Sequence, residues 1–151
     1  MFPNPSEAAL TLPQVQLLVR AMHRVAHSDG AHERELVLLK EFYEACRAEV
    51  SGLTDYADLT RMPFDPVMAK EVLDTPQLQM TLLRSCYFLA YADGTLSDPE
   101  KQAIAAIASE AGIDAKLVNE ARELTKDALL QHISRLANVP ALKRVASDLN
   151  N

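Results

Sequence analysis

Residues 91–100, YADGTLSDPE, decide how the chain is read. Asp93-Gly94 is a turn pair, because glycine takes positive φ without a steric cost. Ser97-Asp98-Pro99-Glu100 then has the spacing of a capping box, with proline in the first turn. The stretch therefore predicts a helix ending near Ala92, a glycine turn, and a new helix starting near Asp98. That new helix runs to about Ala111, where Gly112 ends it.

Working outward, Thr75-Pro76 opens the helix that reaches Ala92, with Leu82, Leu83, Cys86 and Leu89 as its core side. Asp65-Pro66 starts a short helix to about Leu73. Residues 51–76 are punctuated by Ser51-Gly52, Pro63, Pro66 and Pro76, so only short pieces are expected there. Nearer the N-terminus, Thr11 and Gln14 have capping-box spacing and open a helix to about Ser28, with Leu18, Met22 and Val25 as its stripe. Gly30 ends it. A helix from about Glu33 to Ala48 follows, turning Leu36, Leu39 and Phe42 or Tyr43 inward. Asp114 caps a helix to about Leu124, and a last one covers about Lys126 to Ala137 before Pro140. The fold class is all-α: about seven helices in a single bundle, one domain over residues 1–151.

Composition agrees. The chain of 151 residues is 48% hydrophobic and 24% charged, with only 4 glycines, which suits one globular core rich in helix formers. The formal charge is −6. No Lys/Arg cluster is present, so nucleic acid is not the expected partner. Residues 1–10, MFPNPSEAAL, lack the basic and apolar regions of a signal peptide. No apolar run approaches the ~18 residues of a membrane span. A cytoplasmic protein without direct membrane insertion is expected. Cys46 and Cys86 have no CxxC context and are expected as buried, reduced thiols.

An offset of 64 positions carries Asp29-Gly30 onto Asp93-Gly94. It also carries Arg20 onto Arg84, Leu18 onto Leu82, Val25 onto Leu89 and Ala26 onto Ala90. The register slips by one after the turn, since Glu35 is six residues past Asp29 and Glu100 is seven past Asp93. Two pseudo-repeated helix–DG turn–helix halves are expected, the first at about 12–50 and the second at about 76–124. Short connecting helices fill about 51–75, and a C-terminal helix covers about 125–138.

Each turn aspartate continues the apolar stripe of its helix, through Leu18, Met22, Val25 and Asp29, and through Leu82, Cys86, Leu89 and Asp93. Each carboxylate is therefore expected at the rim of the core, where it needs a partner. Two partners fit. One is the backbone N–H groups of the turn and the next helix. The other is a divalent cation, for which Asp29, Glu33, Glu35, Asp93, Asp98 and Glu100 offer hard oxygen ligands. An EF-hand is not expected. With Gly94 sixth in the loop, the first and third places fall on Leu89 and Tyr91, and in the first half the twelfth falls on Leu36.

His23 and His27 are four apart on one helix and His32 lies past the turn, a softer ligand set for zinc that ranks below the carboxylates. Arg20 and Arg84 are expected to pair with acids at helix ends. No nucleophile–base motif or phosphate loop is present, so there are no candidate catalytic residues and no enzyme is expected.

The phrases AHSDGAHERE (26–35) and AYADGTLSDPEKQAIAAIASEAGID (90–114) resemble the tellurite-resistance TerB proteins and the wider TerB-like domains. The resemblance covers about Leu12 to Leu124. It implies an all-helical bundle of two halves and a cytoplasmic bacterial protein tied to tellurite resistance or stress. It further implies divalent-cation binding, calcium or magnesium before zinc, at Asp29, Glu33 and Glu35 and at Asp93, Asp98 and Glu100. The implied partner is a protein, in a membrane-associated complex. The chain departs from its own repeat at His32, which stands where the second copy has Leu96. The competing expectation is a purely structural interaction module in which the DG turns act only as helix caps.

Overall fold

The computed structural model describes residues 10–30, 33–93 and 96–135. Among them are seven α-helices, one 3-10 turn and no strand. In chain order these are α1 (Leu12–His27), α2 (Glu33–Glu49), α3 (Tyr56–Leu59), α4 (Pro66–Val72), α5 (Pro76–Ala90), the 3-10 turn Tyr91–Asp93, α6 (Asp98–Glu110) and α7 (Ala115–Arg135). None is long and apolar enough to cross a membrane.

The helix starts are where the caps put them. Thr11 and Ser97 both complete capping boxes: Thr11 accepts from the Gln14 N–H, and Ser97 accepts from the Glu100 N–H. Glu100 Oε1 returns the bond, accepting from the Ser97 N–H at 3.0 Å. Asp65 and Thr75 cap α4 and α5, and Asp114 Oδ1 accepts from the Lys116 N–H at 2.9 Å. At the end of α6, Gly112 has φ 74°. Its N–H reaches the Ser109 carbonyl and the Ile113 N–H reaches that of Ala108, the paired closure of a glycine-terminated helix.

In the segment 51–75, where short connecting helices are expected, α4 is accompanied by a four-residue helix, α3, whose cap is Asp55 accepting from the Asp58 N–H at 2.8 Å. One expectation is corrected. The chain does not break between Leu124 and Lys126, so the separate C-terminal helix expected from about residue 125 is instead the second half of α7. The reason is Thr125. Its hydroxyl is buried and donates to the Ala121 carbonyl one turn back at 2.8 Å, which lets a β-branched polar residue sit inside a helix. The expected continuation to Ala137, the stop at Pro140 and the tail lie outside the described residues.

Two helices form the centre. α1 buries Val15, Leu17, Leu18, Val19, Met22 and Val25. α5 is buried on all sides from Leu82 to Ala90 except at Arg84, as a helix surrounded by others must be. α5 packs against α1, α2, α6 and α7, and α1 packs against α2, α4, α5 and α6. Each fully buried Leu or Met here contributes roughly 1.5–3 kcal/mol relative to exposure. α2 also packs against the 3-10 turn Tyr91–Asp93, and Glu33 and Arg34 line a groove together with Ala92.

A candidate cation site at the acidic turns

The acids in the two first turns divide between opposite faces. In α2, Glu33 is exposed and Glu35 is fully buried. In α6, Asp98 is exposed, with a side chain 85% open and Lys101 Nζ at 3.7 Å, whereas Glu100 is 1% exposed. Geometry requires this division. Residues two apart lie about 200° around the helix, so one faces in and the other out. Among the described residues, no group of three or more His, Cys, Asp or Glu side chains is gathered as a metal ligand set. The six carboxylates thus split. Glu33 and Asp98 face solvent, Asp29 is half-buried at the rim, and Glu35 and Glu100 are in the core. Asp93 closes the 3-10 turn. Its side chain, like His32 and residues 94–95, lies outside what is described.

Glu100 heads a buried stripe. Ile104, Ile107 and Ala111 follow it at four, seven and eleven residues. Glu35 heads an equivalent stripe of Leu39, Phe42 and Cys46. A carboxylate in that position is desolvated, which disfavours it unless hydrogen bonds or a cation compensate. For Glu100 the helix N-terminus and the Ser97 N–H supply part of the compensation, through Oε1. Its Oε2 is buried with no hydrogen-bond partner among the described residues.

The expected acid partners of Arg20 and Arg84 do not appear among the described contacts. Arg20 Nε instead donates to the Leu59 carbonyl at 3.1 Å, tying α1 to the end of α3. The Arg84 guanidinium carbon lies 5.9 Å from the centre of the Phe88 ring. Among the described residues, Arg24 of α1 forms an ion pair with Glu110 at the end of α6, at 2.7 Å.

The histidines meet a residue that sequence spacing does not reveal. The His23 and His27 rings are 4.1 Å apart between centroids. His23 Nδ1 lies 2.8 Å from the Tyr56 hydroxyl, 33 residues away. Burial first, and the neighbouring His27 second, hold His23 below its ordinary pKa. Burial pushes the Tyr56 phenol up to about 12, so it stays protonated. Tyr56 belongs to α3, in the segment where short helices are expected without placed bounds, and no local signal marks its role.

Along the outer face of α2 runs a groove of about 460 Å³, lined by Glu33, Arg34, Val37, Leu38, Glu41 and Ala92 of the 3-10 turn. It is the surface counterpart of the packing between α2 and the second turn. Comparisons with protein-family models, with curated proteins and with solved structures return no match to this chain.

Proposed function

We propose that the chain is a non-enzymatic, TerB-like domain that binds a hard divalent cation, calcium or magnesium, and serves in a protein assembly of the stress or tellurite response. The ligand on which this reading rests is Glu100; Asp29, Glu35 and Asp93 are the further candidate oxygen donors, and those of them that are described are not gathered with it into a ligand set. The observation that carries this reading is the Glu100 side chain: 1% exposed, with Oε1 committed to the Ser97 N–H and Oε2 unpartnered among the described residues. A buried carboxylate oxygen of that kind is a candidate ligand for a hard cation. The packing of α2 on the 3-10 turn supports ligands drawn from both halves. The assembly role and the cellular setting rest on the TerB resemblance alone.

Calorimetry and thermal melts of the full chain with calcium and with magnesium test the proposal. A saturable heat, a raised melting temperature and the loss of both in Glu100→Gln are expected. No heat and no shift with either ion would sink it. The second reading, a structural interaction module, draws on the completed Ser97–Glu100 capping box. It predicts that Ser97→Ala and Asp29→Asn lower stability by about 1 kcal/mol with no ion effect in the unsubstituted chain.

A further inference from the structure

We propose that His23 and His27, backed by Tyr56, form a site for one divalent transition-metal ion of the imidazole-favouring kind, copper(II), nickel or zinc, separate from the carboxylates at the turns. Positions four apart on a helix stand one above the other on the same face. Here the two rings already share one space, with centroids 4.1 Å apart and planes inclined by 51°. Two imidazoles on adjacent turns can close on one ion, with water completing the coordination shell.

Tyr56 supplies what an imidazole ligand needs behind it. Its hydroxyl is 2.8 Å from His23 Nδ1. Metal binding selects the tautomer in which Nδ1–H donates to the phenol oxygen, leaving the lone pair of Nε2 for the ion. The phenol is held in turn by its surroundings. Its ring stands edge-on to His23 at 5.7 Å and to Tyr43 at 6.0 Å, and the Tyr43 hydroxyl donates to the Thr54 carbonyl. The half-buried His23 is thus oriented by a fixed partner on another helix, while the exposed His27 leaves the site open to solvent.

The position on α1 favours a cation. His27 is the last residue of that helix, where the unsatisfied carbonyls carry partial negative charge. The neighbouring Arg24 points elsewhere, its guanidinium bound to Glu110. Two nitrogens also sort the metals. Affinity should rise from zinc and nickel to copper(II), and calcium and magnesium, which prefer oxygen, should not compete.

The test uses the full chain carrying His32→Gln and His132→Gln, so that the pair is the only source of imidazole. Copper(II), nickel and zinc are titrated by calorimetry, with the histidine ring signals followed by NMR. One ion per chain is expected, perturbing both rings. His27→Gln, an exposed substitution whose fold is checked by circular dichroism, should weaken binding at least about tenfold, and Tyr56→Phe by about tenfold through loss of the orienting acceptor. Calcium should leave the ring signals unmoved. Absence of binding in the two-substitution background, or unchanged affinity in His27→Gln, would overturn the proposal.

Discussion

Glu35 and Glu100 hold the same register in two different helices. Each is the third residue of its helix, each is buried, and each is followed at four, seven and eleven residues by buried side chains. The inward stripes of α2 and α6 therefore each begin with a carboxylate. Glu100 uses that position to complete the Ser97 capping box through Oε1, which leaves Oε2 as the buried oxygen without a partner among the described residues.

The substitution Glu100→Gln separates structure from ligand. The amide keeps an oxygen for the Ser97 N–H and removes the charge. Without divalent ions the variant should stay within about 1 kcal/mol of the unsubstituted chain in urea unfolding. At a hundredfold excess of calcium over its dissociation constant, the unsubstituted chain should gain about 2.7 kcal/mol and the variant almost nothing. Equal gains in both would remove Glu100 from the site.

Most of the fold was legible because its signals are local. Thr11, Asp65, Thr75, Ser97 and Asp114 each announce a helix start within four residues, and Gly30 and Gly112 each announce an end, both with positive φ in the structure. What escaped was short or distant. α3 has four residues and one cap, Asp55, too little periodicity to place its bounds. Thr125 looked like a boundary and is held inside α7 by a bond to the preceding turn. At the site, the inward direction of Glu35 and Glu100 could have been read from their register with Leu39 and Ile104. The His23–Tyr56 and Arg24–Glu110 contacts span 33 and 86 residues, and no spacing rule reaches that far. The two-half repeat remains an expectation drawn from the matched DG turns.

The two thiols should be inert in the folded chain. Burial pushes Cys46 up to about 11 and Cys86 up to about 12, so almost no thiolate, the reactive form, exists near pH 8. A disulfide reagent such as Ellman's should titrate neither in buffer and both in guanidinium chloride. Rapid reaction of either cysteine in the native chain would show that its helix opens readily.

The Arg24–Glu110 pair should make a small, salt-sensitive contribution. It is a two-pronged contact, at 3.1 and 2.7 Å, but both side chains are more than a third exposed. Glu110 is also the last residue of α6, where a carboxylate opposes the helix dipole. Glu110→Gln should cost about 0.5 kcal/mol, fading in high salt. The Arg24 hydrogen bond holds the Glu110 pKa below its ordinary 4.5. The folded chain therefore binds its proton later than the unfolded chain. The contribution is complete above pH 4.5 and is lost as pH falls through the lower, folded value. Urea midpoints of the two chains should converge on acidification; a gap that widens would contradict the pairing.

The glycine that closes α6 should be sensitive for backbone reasons alone. Gly112 sits at φ 74°, and among the described residues a methyl group built there would meet only Lys70 Cε at 3.5 Å, an ordinary contact. The expected loss for Gly112→Ala is then the left-handed strain of an L-residue, about 1–2 kcal/mol. Gly30, at φ 83° with nothing within 4 Å of the added carbon among the described residues, should cost the same. Gly52→Ala should cost slightly more, since Leu12 Cδ2 stands 3.3 Å from the added carbon and must shift. Asparagine tolerates the left-handed region better than alanine, so Gly112→Asn should recover part of the loss. Chemical unfolding of the four variants gives the order directly. If Gly112→Ala matches the unsubstituted chain, the helix end does not depend on positive φ. If alanine and asparagine are equally damaging, the cost arises from contact with Lys70 and not from the backbone.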